Sequence, residues 1–349
     1  MRIPRIAVAA IPLLLAVPSA EAADATIPNR LYHLEASIPL GDSERWDYVT
    51  FDPKNSRVYV AHGDHVSVVD PQAGTVVGGI GPLPGGTHGI GIASDEHVGY
   101  TDDGKAGVAV AFDLKSLKIL KQIPAAEDAD GVLFDPASQH VFVINGDSGS
   151  VTVIDPKTNS SIATITIGAG LEAAVLDGRG KLFIDGAENH DIVVVDTRRN
   201  VVLAHFPLQG CERPHGIAID VDSHRVFSTC VNKVMVAIDT DTGRNVATVP
   251  IGAYSDGAAF DPKRKWILSP NGEGTLSVIE EKDPDHFVLL GNVPTAPSAR
   301  TIAIDEATGR IFLPAAEIAS IDPPTTPGGR PHVTFVPGST KLLVFAPSN

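Results

Sequence analysis

The chain has 349 residues and a formal net charge of −15, with 42 Asp and Glu against 27 Lys and Arg. That balance repels phosphate backbones and anionic headgroups, so nucleic acid is excluded as a partner and cations are favoured. Val, Ile, Gly and Pro are abundant and long amphipathic helical patterns are absent, which excludes an α/β architecture.

Residues 1–22 read as a secretory signal peptide. Arg2 and Arg5 precede an apolar run from Ile6 to Val17, and Ala20-Glu21-Ala22 is a small-x-small cleavage site, with the mature chain expected to start near Ala23. The run is too short for a membrane span, and Pro12 interrupts it. The expected location is periplasmic or secreted, with no transmembrane segment.

From residue 31 onward the sequence repeats itself. VTFDPKNSRVYVAHGDHVSVVD (49–70) resembles GVLFDPASQHVFVINGDSGSVTVID (131–155), AAVLDGRGKLFIDGAENHDIVVVD (173–196), GIAIDVDSHRVFSTCVNKVMVAID (216–239) and GAAFDPKRKWILSPNGEGTLSVIE (257–280). A degenerate copy spans 89–113, and a last one begins at 301 and resumes at 340. Each unit holds short β-branched runs separated by DP, DG, GD or NG turns, and a further run such as TVVGGI or SIATITI follows. Four antiparallel strands at a period of about 42 residues describe a propeller blade. The predicted fold is therefore all-β: one seven-bladed β-propeller over residues 31–346. Its blade cores lie near 49–80, 89–123, 131–168, 173–208, 216–252, 257–293 and 301–346. The seventh unit is one strand short, and the segment 31–40 is expected to pair with it and close the ring, removing its open edge. A Pro-rich insertion, 314–340, interrupts the last blade and carries Arg330 and His332; its length suggests a lid.

The blade motifs YVAHGDHVSVVD, VFVINGDSGSVTVID and LFIDGAENHDIVVVD resemble the repeat of the YncE-like, YVTN-type propeller family, across essentially the whole chain after the signal. The resemblance implies a bacterial extracytoplasmic propeller. Roles linked to that family include DNA binding, surface layers and metal-related envelope functions. The acidic balance argues against the first.

Aligning the units on the residue ending the first strand (Asp52, Ala93, Asp135, Asp177, Asp220, Asp261, Asp305) and counting back five yields a second column: Asp47, His88, Asp130, Glu172, His215, Asp256 and Arg300. All seven are ionisable. In a propeller the first strand lines the channel, so these side chains are expected to ring its mouth. Four are followed by glycine (Gly89, Gly131, Gly216, Gly257), which suits a backbone crowded near the axis. The ring reads either as structural ion pairing or as a ligand site. As a site, His88, His215, Asp130, Glu172 and Asp256 form a candidate ligand set for a divalent metal ion. Crowded carboxylates raise one another's pKa, which also suits acid–base work.

The loops after the second strands carry His62, Asp102, Asn145, Asp185, Glu188 and Asn271 on the same face. Turn chemistry explains most of them, and His62 and Asp102 stand out as candidates for the site. Cys211 and Cys230 lie there too. A disulfide pinning the His215 loop is favoured by the compartment, the alternatives being buried thiols or thiolates joining a metal. Nucleophile elbow, HExxH, CxxCH, P-loop and dinucleotide motifs are absent. The leading expectation is a monomeric binding or scaffold propeller whose ligand is a metal cation, a small polar molecule or an envelope protein. The alternative is a metal-assisted lactonase or lyase using the same mouth.

Overall fold

The computed structural model describes residues 31–41, 45–168, 170–323 and 332–348. The signal segment 1–22 and Arg330 lie outside the described residues. Seven four-stranded antiparallel sheets form the blades of a β-propeller. In blade 1 the strands are Val49–Asp52, Arg57–His62, His65–Asp70 and Thr75–Ile80, in that order from the axis outward. Blades 2 to 6 repeat this order. Blade 7 takes its outermost strand from the other end of the chain: Tyr32–Gly41 pairs antiparallel with Thr340–Pro347, from Tyr32 opposite Pro347 to Gly41 opposite Thr340. The Tyr32 hydroxyl donates to the Gly309 carbonyl at 3.1 Å and fastens this closure.

The turns follow from the aspartates that end the strands. Asp135 Oδ1 accepts the Ala137 N–H at 3.0 Å, Asp220 that of Asp222 at 3.0 Å and Asp261 that of Lys263 at 3.0 Å. These Asx turns bend the chain into the second strand without help from neighbours. Blade 2 has Ala93 at this position, and there a 3₁₀ turn, Ser94–Glu96, takes over.

Apolar side chains on both faces of each sheet meet the next blade. Val58, Val60 and Val69 of blade 1 pack on Phe312, Leu342 and Val344 of blade 7, and Phe142, Ile144 and Val153 of blade 3 pack on Leu182, Ile184 and Val193 of blade 4. The core is thus a ring of interfaces, so each blade depends on two others.

The insertion of blade 7 carries its own hairpin, Ile318–Asp322 with His332–Phe335. Among the described residues no helix is long and apolar enough to cross a membrane.

Cys211 and Cys230 form a disulfide with Cα atoms 5.5 Å apart, and both side chains are buried. Neither thiol is available to a metal. The bond closes a 19-residue separation, so replacing both cysteines by alanine is expected to cost about 3 kcal/mol through the entropy regained by the unfolded chain. Urea unfolding of the double variant beside the parent checks this.

Candidate functional site

The seven column residues sit where the innermost strands begin, and their placement depends on irregular pairing. In blade 5, Pro214 pairs with Cys230 and Gly216 with Thr229, which leaves His215 as the extra residue of a β-bulge. In blade 4, Leu171 pairs with Gly186 and the ladder resumes at Ala174, so Glu172 lies inside a similar irregularity. In blade 3 the break falls between Ala129 and Val132, around Asp130. A bulge adds twist and re-aims a side chain that a regular ladder would send into a blade interface. His215 therefore lies within the strand Pro214–Asp220 and not in the loop before it.

The glycines after the column serve neighbouring blades more than the axis. A Cβ on Gly89 would run into the Asp130 carbonyl and the Val132 amide, and one on Gly216 into the Gly257 backbone. Adjacent inner strands touch here, and only hydrogen fits between them.

Side chains of the column join in two groups. Arg300 Nε donates to Asp256 Oδ2 at 2.8 Å, and its guanidinium lies 5.3 Å from the Trp46 ring. His215 Nδ1 lies 3.2 Å from Glu172 Oε2 and 3.7 Å from Asp256 Oδ1, with the imidazole almost wholly buried. This group links blades 4, 5, 6 and 7. On the other side His88 Nδ1 is 2.8 Å from Asp102 Oδ2, while Asp102 Oδ1 accepts the backbone N–H groups of His88 and Gly89 at 2.8 Å each. Asp102 has no solvent exposure. It positions His88 and is the main addition to the site from the second strands.

The remaining candidates divide. His62 is buried against Ser67, 2.9 Å from its hydroxyl. Asn145 donates to Ser150 and Thr152, and Asn271 to Thr275 and Ser277, so both brace their own hairpins. Asp185 is fully buried and accepts from Ser228 at 2.7 Å. Glu188 and His332 are exposed. Phe335, at the foot of the blade 7 hairpin, packs tilted against Trp46 with ring centroids 4.8 Å apart, which seats the hairpin beside Arg300.

Burial and crowded charge set the protonation of the mouth. Burial, reinforced by Asp256, pushes Asp47 up to about 7 against the pull of Arg300 and His88. Burial and then Asp47 hold Asp130 well above the usual carboxylate range. Burial likewise lifts Asp185, with Glu172 and Asp191 adding to it and the Ser228 hydrogen bond opposing it. Burial works against a charged His88, but the Asp102 hydrogen bond and charge outweigh it and raise His88 to about 9. Burial also raises Asp102 despite its donors, so the pair stabilises less than the His88 shift alone would give.

Sequence reasoning passed over Tyr48. It follows Asp47 in blade 1, yet its ring packs with Ala173 and Ile217 of blades 4 and 5, on the far side of the ring of blades. The side chain therefore spans the axis. Burial raises its hydroxyl pKa well above normal, and Asp130, Asp47, Asp256 and Glu172 all add to the effect. A signal was present: the column after the ring reads Tyr48, Gly89, Gly131, Ala173, Gly216, Gly257, Thr301. One large side chain among small ones fills a space with room for one.

The proposed metal set does not converge. Among the described residues no group of three or more His, Cys, Asp or Glu side chains is arranged to hold a metal ion. His88 points into Asp102 and His215 lies between Glu172 and Asp256, so the two imidazoles are engaged separately.

A solved structure similar to this chain is Kuenenia stuttgartiensis hydrazine synthase, at 14% identity and a TM-score of 0.66, covering 92% of this chain and 99% of that one. At that identity the likeness concerns the fold alone. No protein-family model and no curated protein matches the sequence. The resemblance to the YncE-like repeat thus rests on the blade motifs.

Proposed function

We propose that the protein is an extracytoplasmic binding propeller that takes a small organic cation at the mouth of its channel. One observation carries this reading. Burial and then the charges of Asp130, Asp47, Asp256 and Glu172 raise the Tyr48 hydroxyl, and Asp47 and Asp130 are themselves pushed upward. Such a mouth holds its charge down by keeping protons. An arriving cation offsets the same repulsion and releases them. An ammonium group suits the geometry better than a bare metal ion, because it needs hydrogen-bond acceptors around it and not a compact coordination shell. The contacts of the blade 7 hairpin with Trp46, and of Trp46 with Arg300, support a role for that hairpin as a cover over such a ligand. The disulfide is consistent with an oxidising compartment outside the cytoplasm.

Calorimetric titration with 1,4-diaminobutane in phosphate and in Tris tests the reading. Saturable binding with proton release is expected at pH 7: up to about half a proton from Asp47, which titrates at about 7, and a further share from Asp130, which is also shifted upward. The Asp47→Asn/Asp130→Asn double variant is expected to lose both the binding and the proton release. Absence of binding, or binding unchanged in the double variant, would overturn it.

A further inference from the structure

Below Tyr48 the axial channel continues as a cavity of about 490 Å³. None of the seven ring residues lines it. Tyr48 does, together with Gly89, Gly131 and Gly257 at the same level, and at the far end the wall reaches Asp52, Pro53 and Ser94. The tyrosine thus divides the axis into two compartments. The upper one is the acidic mouth. The lower one ends on the opposite face of the propeller.

The wall of the lower compartment is of different chemistry. Phe51, Ile92, Leu133, Phe134 and Leu176 on the inner strands of blades 1 to 4, with Ile302 just before the inner strand of blade 7, line it, and each is only half-buried. Asp52 is the single charged residue in the wall, and its carboxylate is consumed. Oδ1 accepts from the Lys54 N–H at 3.0 Å and the Ser94 hydroxyl at 3.2 Å, and Oδ2 from the Asn55 side-chain amide at 2.7 Å. The Thr50 hydroxyl is spent on the Ile90 carbonyl at 2.8 Å. A charged ligand would lose its hydration there and meet no ion besides Asp52, whose oxygens already hold neutral donors, whereas apolar surface gains by leaving water.

We propose that this compartment is a second binding site, entered from the face opposite the ring, for an uncharged apolar molecule of aromatic or short-chain type. Its volume lies within the range of small-molecule pockets. The inner strand Val49–Asp52 spans four residues, which sets a depth of about 13 Å at the rise of an extended chain. The site is distinct from the mouth, since none of the seven ring residues lines it.

The uncharged fluorophore N-phenyl-1-naphthylamine serves as the probe. The parent protein is expected to bind it saturably in the micromolar range with a blue-shifted emission. Ala174 also lines the wall, and Ala174→Trp, which fills the lumen, is expected to weaken binding at least tenfold while the circular dichroism spectrum stays that of the parent. Crystals of the parent soaked in 1-bromonaphthalene supply a readout that needs no variant: the bromine anomalous peak is expected on the axis, between Tyr48 and Asp52. Failure to bind the probe, undiminished binding by a folded Ala174→Trp protein, or a bromine peak away from the axis would each overturn the proposal.

Discussion

Asp102→Ala is expected to cost the protein about 3–5 kcal/mol, the range for removing one partner of a buried ion pair. The carboxylate has no solvent exposure and serves three donors: the His88 ring, the His88 amide and the Gly89 amide. Its loss leaves two backbone N–H groups without their acceptor and the half-buried His88 imidazole without its carboxylate partner. Asp102→Asn keeps an oxygen for the amides but removes the charge, so its cost is expected to be smaller. Its effect on His88 is expected to be nearly as large. Burial alone lowers the His88 pKa, and only Asp102, with Asp130 and Asp47 behind it, lifts it to about 9. In Asp102→Asn the His88 resonance should therefore titrate well below 9. Urea unfolding followed through Trp46 and Trp266, with NMR titration of the His88 ring, checks both parts. A loss under 1 kcal/mol in Asp102→Ala would show that the pair does not hold the mouth together.

Stability is expected to fall as pH rises from about 4 to about 9, the reverse of a protein held by ordinary carboxylate pairs. Asp47 ionises at about 7 in the folded chain against 3.8 ordinarily, so the native state keeps a proton the unfolded state has released, and stability declines between those values. His88 ionises at about 9 against 6.5, so its contribution is complete below 6.5 and is lost as pH rises through 9. Asp130, shifted upward as well, acts in the same direction. Asp256, Arg300, His88 and Asp102 face Asp47, and the net of their charges with burial leaves the upward shift. Surface aspartates such as Asp95, Asp113 and Asp283 are shifted downward by hydrogen bonds and oppose the trend only below about pH 4. At about 1.4 kcal/mol per unit, with allowance for partial solvent access, Asp47 alone accounts for about 2 kcal/mol. Asp47→Asn should make the decline between pH 4 and 7 shallower, with Asp130, Asp185 and Glu281 supplying the remainder, and leave the loss above pH 7 in place. Urea midpoints across pH 4–9 for both proteins measure this. A parent profile that rises through this window would contradict the assignment of a crowded, proton-holding mouth.

The repeat made the fold legible before any coordinates. Asx turns at positions such as Asp135 and Asp261 act within three residues, and alternating β-branched runs pair with their immediate neighbours in the chain. The missing strand of the seventh unit pointed to the closure by Tyr32–Gly41 for the same local reason: an unpaired edge needs a partner, and one strand was spare. The ring column was readable because a column is a one-dimensional object. Its chemistry was less so. His88 and His215 look equivalent in sequence, yet one is held by Asp102 from its own blade and the other by Glu172 and Asp256 from the two blades beside it.

By itself the sequence determined what depends on neighbours along the chain: the number of blades, the closing strand and the level at which seven ionisable residues meet the axis. Only the tertiary structure decided what depends on neighbours across the axis. The bulges at Asp130, Glu172 and His215 re-aim side chains by an amount no spacing encodes, because it depends on how closely the next inner strand approaches. Tyr48 reaches the cluster of blades 4 and 5 because they stand opposite blade 1 at the reach of one aromatic side chain, a distance set by the packing of all seven blades.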